Sequence, residues 1–139
     1  MAGVSRRLLF TVASVLLALV LVGGSPTPSV AKPRPPYRIS IHASATTVTV
    51  GQEIVFTGKV RPASTAVTKQ DVKLQVVYDE PVGFETAGLD EPNRKGKYEI
   101  SLHFTEFSGP GTYRVRARIA AGKGHREGIS DVLTITVTP

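Results

Sequence analysis

Three histidines, two adjacent carboxylate pairs, six serines between Ser40 and Ser130 and a row of alternating arginines are the residues of this 139-residue chain with types suited to chemistry. A zinc centre needs nitrogen, oxygen or sulfur donors converging on one point, and no His-x-His or His-Glu-x-x-His spacing supplies them. His42 and His103 fall out of phase with Ile39/Ile41 and Ile100/Leu102, and His125 follows Gly122-Lys123-Gly124, so all three are expected in solvent. No serine sits in a Gly-x-Ser-x-Gly elbow, the strained turn that exposes a nucleophile. Ser40, Ser44, Ser64, Ser101, Ser108 and Ser130 read instead as strand or small-residue turn positions. No glycine opens a helix, which excludes a phosphate cradle of that kind. Asp79-Glu80 and Asp90-Glu91 fall in expected loops, but a calcium loop offers several carboxylates in a short span, and Arg94 and Lys95 follow the second pair and oppose a cation there. The expectation is a protein that is not an enzyme and has no catalytic residue, no cofactor and no metal.

The arginines are the more specific signal. Arg114, Arg116 and Arg118 alternate with Val115, Ala117 and Ile119, so on a strand they share one face at intervals of roughly 7 Å. Lys73 and Gln75 point outward on another segment, and Lys123 and Arg126 follow the arginines in the next loop. Together Lys73, Arg114, Arg116 and Arg118 form a candidate surface for a phosphate or carboxylate polymer. The same residues equally suit a solvated sheet face that resists edge pairing, with Asp79 and Glu99 diluting its field.

Positioning such a row requires strands, and from Tyr37 onward the sequence has period two. Ile39 and Ile41 begin it; Thr46–Val50 is largely β-branched and turns at Gly51-Gln52; Ile54, Phe56 and Val60 share a face, with Gly58 expected as a bulge. Residues 62–68 read as a loop, and Val72, Leu74, Val76 and Tyr78 point one way. Pro81-Val82-Gly83-Phe84 reads as an irregular crossing and residues 90–96 as a polar turn. Tyr98, Ile100, Leu102 and Phe104, then Tyr113, Val115, Ala117 and Ile119, and finally Leu133, Ile135 and Val137 supply further inward faces. Short alternating segments at this spacing predict an all-β sandwich of about seven antiparallel strands.

Several short motifs resemble bacterial immunoglobulin-like modules. Gly111-Thr112-Tyr113-Arg114-Val115 resembles the corner that leads into the sixth strand of an immunoglobulin domain, where the tyrosine hydroxyl bonds to backbone upstream. Val50–Gly58, Gly96-Lys97-Tyr98 and Ser130–Val137 resemble the opening, an internal turn and the last strand of such modules on exported surface proteins. The resemblance covers residues 38–138 and implies an immunoglobulin-like β-sandwich. It departs from antibody domains in lacking the disulfide and the buried tryptophan, and it implies little about a ligand.

The first 31 residues read as an export signal: a basic head with Arg6-Arg7, an apolar run from Leu8 to Val22, and Ser29-Val30-Ala31 before Lys32 as a small-x-small cleavage site. The run of 15 residues falls below the ~20 of a membrane span, so cleavage is expected, with an uncleaved anchor through residues 8–22 the alternative. Residues 32–37 read as a proline-rich linker and 38–139 as the domain. Removing residues 1–31 lowers the formal net charge from +6 to +4, because Arg6 and Arg7 leave with it. With no cysteine the exported fold holds without disulfides. The expected role is a secreted, cell-surface binding or spacing module. Its partner would be an anionic cell-wall polymer or, alternatively, an exported protein met through a sheet edge or end loops. Nucleic acid is not expected, and a membrane is expected only through the N-terminal segment.

Overall fold

In the computed structural model of the chain, residues 23–78, 83–105 and 108–139 are described. The expected signal segment up to Val22 and the Asp79-Glu80 pair lie outside them. Ten strand segments follow in order: β1 (Arg38–Ile39), β2 (His42–Ala43), β3 (Thr47–Thr49), β4 (Glu53–Arg61), β5 (Val72–Val77), β6 (Glu85–Asp90), β7 (Lys97–His103), β8 (Gly111–Ile119), β9 (Gly128–Ile129) and β10 (Leu133–Thr138). A 3₁₀ turn, Val67–Lys69, interrupts the 62–68 loop and buries Val67 completely.

The strands form two sheets. In the smaller, β4 runs between β7 on one side and β1 with β2 on the other. Arg38 opposes Arg61, Ile39 opposes Val60, His42 opposes Thr57 and Ala43 opposes Phe56, so β1 and β2 are one strand in constant register with a break at Ser40-Ile41. The larger sheet has the order β3-β10-β8-β5-β6, and β9 continues along the β10 side of β8. β3 runs parallel to β10, with Thr47 opposite Thr136 and Thr49 opposite Thr138. This corrects the expectation of antiparallel pairing throughout. The first part of the chain adds to one sheet through β1 and β2 and to the other through β3.

Alternation supplies the core. Ile54, Phe56, Val60, Tyr98 and Ile100 from the smaller sheet meet Val72, Leu74, Tyr113, Val115, Ala117, Ile119, Ile135 and Val137 from the larger, all buried in one cluster. Full burial of one Leu, Ile, Val or Phe side chain is worth about 1.5–3 kcal/mol, so this all-β fold rests on its apolar face rather than on crosslinks.

Two expectations change in detail. Gly58 is not a bulge, since β4 and β7 pair without a shift from Glu53 opposite His103 to Lys59 opposite Lys97. Its missing side chain instead makes room for Tyr98: a Cβ at Gly58 would lie 2.0 Å from the Ser40 carbonyl oxygen and 2.4 Å from the Tyr98 hydroxyl. The irregular crossing also ends in a strand, because Glu85–Asp90 pairs with β5 as far as Val72 opposite Asp90, with a bulge at Leu74/Gln75.

The chain divides into two units, Met1–Ala31 and Lys32–Pro139. Of the first, residues 23–31 are exposed and carry no regular structure. In the second, the proline-rich stretch is docked onto the sandwich rather than free. The Arg126 amide donates to the Pro35 carbonyl (2.9 Å), the Tyr37 amide donates to the Arg126 carbonyl (3.0 Å), and the Arg126 side chain donates through Nε to the Arg34 carbonyl (2.8 Å). Tyr37, expected as the last residue of the linker, is 3% exposed and belongs to the core.

Candidate functional site

The register of β5 and β8 assembles the candidate basic face. Lys73 opposes Arg118, Gln75 opposes Arg116 and Val77 opposes Arg114. The structure brings the four predicted residues onto one face, but it does not leave them equivalent. The Arg116 guanidinium lies over the Phe84 ring, 3.9 Å from its centroid, and its Nε donates to Gln75 Oε1 at 2.9 Å. Gln75, expected on the wet side, is buried by this arrangement. Phe84 and Arg116 close over the middle of the face. Arg118 donates through Nε (2.9 Å) and Nη2 (2.7 Å) to Glu127 Oε2. Both partners are more than a third exposed, and such pairs contribute about 0–1 kcal/mol. Arg114 is exposed opposite Val77 and Thr134, and Lys73 is exposed between Arg118 and Leu89.

The serines have a structural use that their sequence context does not reveal. The Ser40 amide donates to the Lys59 carbonyl while Ser40 Oγ accepts the Lys59 amide, both at 3.0 Å. Ser44 does the same with Val55 (2.9 and 3.0 Å), and Ser130 with Ala117 (2.9 and 2.8 Å). In each case the hydroxyl oxygen stands where a strand carbonyl would accept, at a place where the strand leaves the ladder. Their lone pairs are therefore committed to backbone amides.

His42 and His103 are exposed as expected. His125 is not simply solvated: its ring stacks on Tyr37, with centroids 4.7 Å apart and planes at 21°. Asp90 Oδ2 accepts the Glu99 amide at 2.8 Å and caps the free edge of β7. Among the described residues no three His, Cys, Asp or Glu side chains gather as a metal site would require. No helix among them is long and apolar enough to cross a membrane.

Burial pushes the Tyr98 phenol well above its ordinary value, and its hydroxyl donates to the Ser40 carbonyl at 2.5 Å. Tyr113 is also raised, by burial and by the neighbouring Tyr78. Its hydroxyl shares its proton between the Ser108 carbonyl and the Gly109 carbonyl, the latter at 2.8 Å. These phenols are fixed as hydrogen-bond donors to backbone and are poorly suited to act as bases.

The outward face of the smaller sheet carries a second basic group that the sequence reading missed. Arg38 directly opposes Arg61, and Lys59 directly opposes Lys97. Each alternates with a buried neighbour (Ile39, Val60, Tyr98), which is a visible signal in the sequence. What the sequence lacks is the register that sets these four cations side by side.

The sequence matches no protein-family model and no curated protein.

Proposed function

We propose that this chain is an exported, non-catalytic immunoglobulin-like module that binds an anionic polymer of the cell envelope. The N-terminal head and small-x-small site support export. Three features support the immunoglobulin-like reading. First, second and fifth strands in one sheet (β1/β2, β4, β7) with third, sixth and seventh in the other (β5, β8, β10) agree with the division that such domains use, while β6 joins β5 as an added strand of the second sheet. The Tyr113 hydroxyl reaches back to backbone at the corner, as in the tyrosine corner of such domains. The fully buried Val115 stands two residues later, at the core position of the same motif.

The observation that carries the binding reading is the distribution of charge. Residues 32–139 hold a formal excess of +4, and between described residues there is one ion pair, Arg118 with Glu127. An excess of exposed cations holds a positive potential over the surface, which attracts polyanions and weakens as salt rises. Lys73, Arg114, Arg116 and Arg118 are one such surface on the larger sheet.

The test is pelleting of the full-length chain, kept soluble in a non-ionic detergent, with isolated cell walls at low and high salt. Pelleting that fades with salt is the expected result. A chain that stays in the supernatant at both salts overturns envelope binding and leaves a protein partner at an exposed edge, such as β6, as the remaining reading.

A further inference from the structure

Resting on the reading above, we propose that the principal anion site is the cleft on the smaller sheet formed by Arg38, Lys59 and Arg61, with Lys97 across the strand from Lys59, and that it takes a phosphate-bearing polymer. Cross-strand neighbours of like charge repel, because opposite Cβ atoms stand only ~4.5–5.5 Å apart. Here two such pairs occur in successive rows, Arg38 with Arg61 and Lys59 with Lys97. No hydrogen bond or ion pair of these four side chains occurs among the described residues, in contrast to Arg116 and Arg118 on the other sheet. Acids approach only the Lys97 side, where Lys59 and Lys97 also border a depression with Asp90, Glu91 and Glu99; the surroundings of Arg38 and Arg61 hold no carboxylate. A fold that places four cations together at a cost to its own stability gains that cost back when an anion arrives.

The site is also concave. A cleft of about 500 Å³ is lined by Arg38, Lys59 and Arg61, with Pro35, Pro62 and His125 among its walls and no carboxylate in its lining. The proline wall is held in place by the Arg126–Pro35 hydrogen bond, and His125 by its stack on Tyr37. The depression is open to solvent, so a polymer can lie across it with the cations beneath. The turn that leads into β7 adds Arg94 and Lys95 at the same end, because Gly96 packs against Val60 and Ala63.

The geometry favours phosphate. Heads facing each other across strands ~5 Å apart, and repeated ~7 Å along them, can meet an anion from two sides. A phosphodiester turns its two free oxygens outward tetrahedrally, so opposite cations can each take one. A planar carboxylate directs both oxygens at a single guanidinium fork. The row repeat then accommodates two successive phosphates of one chain.

The experiment titrates fluorescent polyphosphate, with poly-glutamate of matched charge beside it, against the full-length chain in detergent. Two variants accompany it: Lys59→Gln/Arg61→Gln/Lys97→Gln, and Arg114→Gln/Arg116→Gln/Arg118→Gln. The expected result is polyphosphate binding that falls about tenfold or more in the first variant and about twofold or less in the second. The first variant should also melt higher than the unmodified chain without ligand, because like-charge repulsion is relieved. Polyphosphate should raise the melting temperature of the unmodified chain and of the second variant but not of the first. A higher melting point shows that lost binding is not lost folding. Binding lost only in the second variant overturns the proposal, as does poly-glutamate binding as tightly as polyphosphate. Pelleting with walls but no polyphosphate binding overturns this site and leaves the envelope reading standing. Polyphosphate binding lost in the first variant, without pelleting, supports the site and removes the envelope.

Discussion

Tyr98 illustrates how much one residue can settle. Its ring crosses β4 at Gly58, and its hydroxyl takes up the Ser40 carbonyl that the Ser40 side chain has displaced from the ladder. Tyr98→Phe keeps the ring and deletes the donor, and chemical denaturation at neutral pH should register a loss of about 1–2 kcal/mol. The pH dependence follows from the raised phenol. The unfolded chain releases this proton near the ordinary value of 10.0 while the folded chain retains it. Stability is therefore complete below that pH and declines as pH rises past it. The variant should show a shallower alkaline decline than the unmodified chain in the same denaturation series. The inward aim of Tyr98 was legible from alternation with Ile100. The role of Gly58 was not, because a glycine within a strand is equally a bulge or a place of close approach, and only the partner side chain decides between them.

At the scale of elements, the long alternating strands were readable and the interruptions were not. β4, β7, β8 and β10 lie where their apolar period put them, because one buried face dictates register. β6 was missed: Glu85-Thr86-Ala87-Gly88-Leu89-Asp90 has little β-branched content, and its strand geometry comes from pairing with β5. The three serines that repair broken ladders were likewise invisible, since their role depends on which amide lies opposite. Ser130→Ala removes the acceptor for the Ala117 amide between β8 and β9–β10, and should cost about 1–3 kcal/mol because that amide is buried. Ser101→Ala, at an exposed position of β7, should stay within about 0.5 kcal/mol. Hydrogen exchange at the Ala117 amide should accelerate in the first variant and not in the second.

For the whole molecule, the amount of charge was legible and its placement was not. Composition gives the positive excess, but register decides that Arg116 folds against Phe84 while Arg38 and Arg61 face each other. The boundary of the domain moved for a related reason. A proline-rich stretch has no internal hydrogen bonds to predict, yet Pro35–Tyr37 finds partners in Arg126 and Gly122 at the far end of the sequence. A chain beginning at Lys32 should therefore be as stable as one with residues 23–31 attached. One beginning at Arg38 should lose about 3 kcal/mol or more, the cost of removing a buried aromatic ring. Comparing the denaturation midpoints of the two truncations measures it.

The parallel pairing of β3 with β10 sets how the domain carries load. Thr46 accepts the Thr136 amide and Thr138 accepts the Val50 amide, so these bonds lie across the direction in which the two strands point. When the domain is pulled between its beginning and its end and β1 and β2 have been drawn off β4, tension on β3 and β10 slides one along the other and strains those bonds together. An antiparallel hairpin pulled at its open end would release them one at a time.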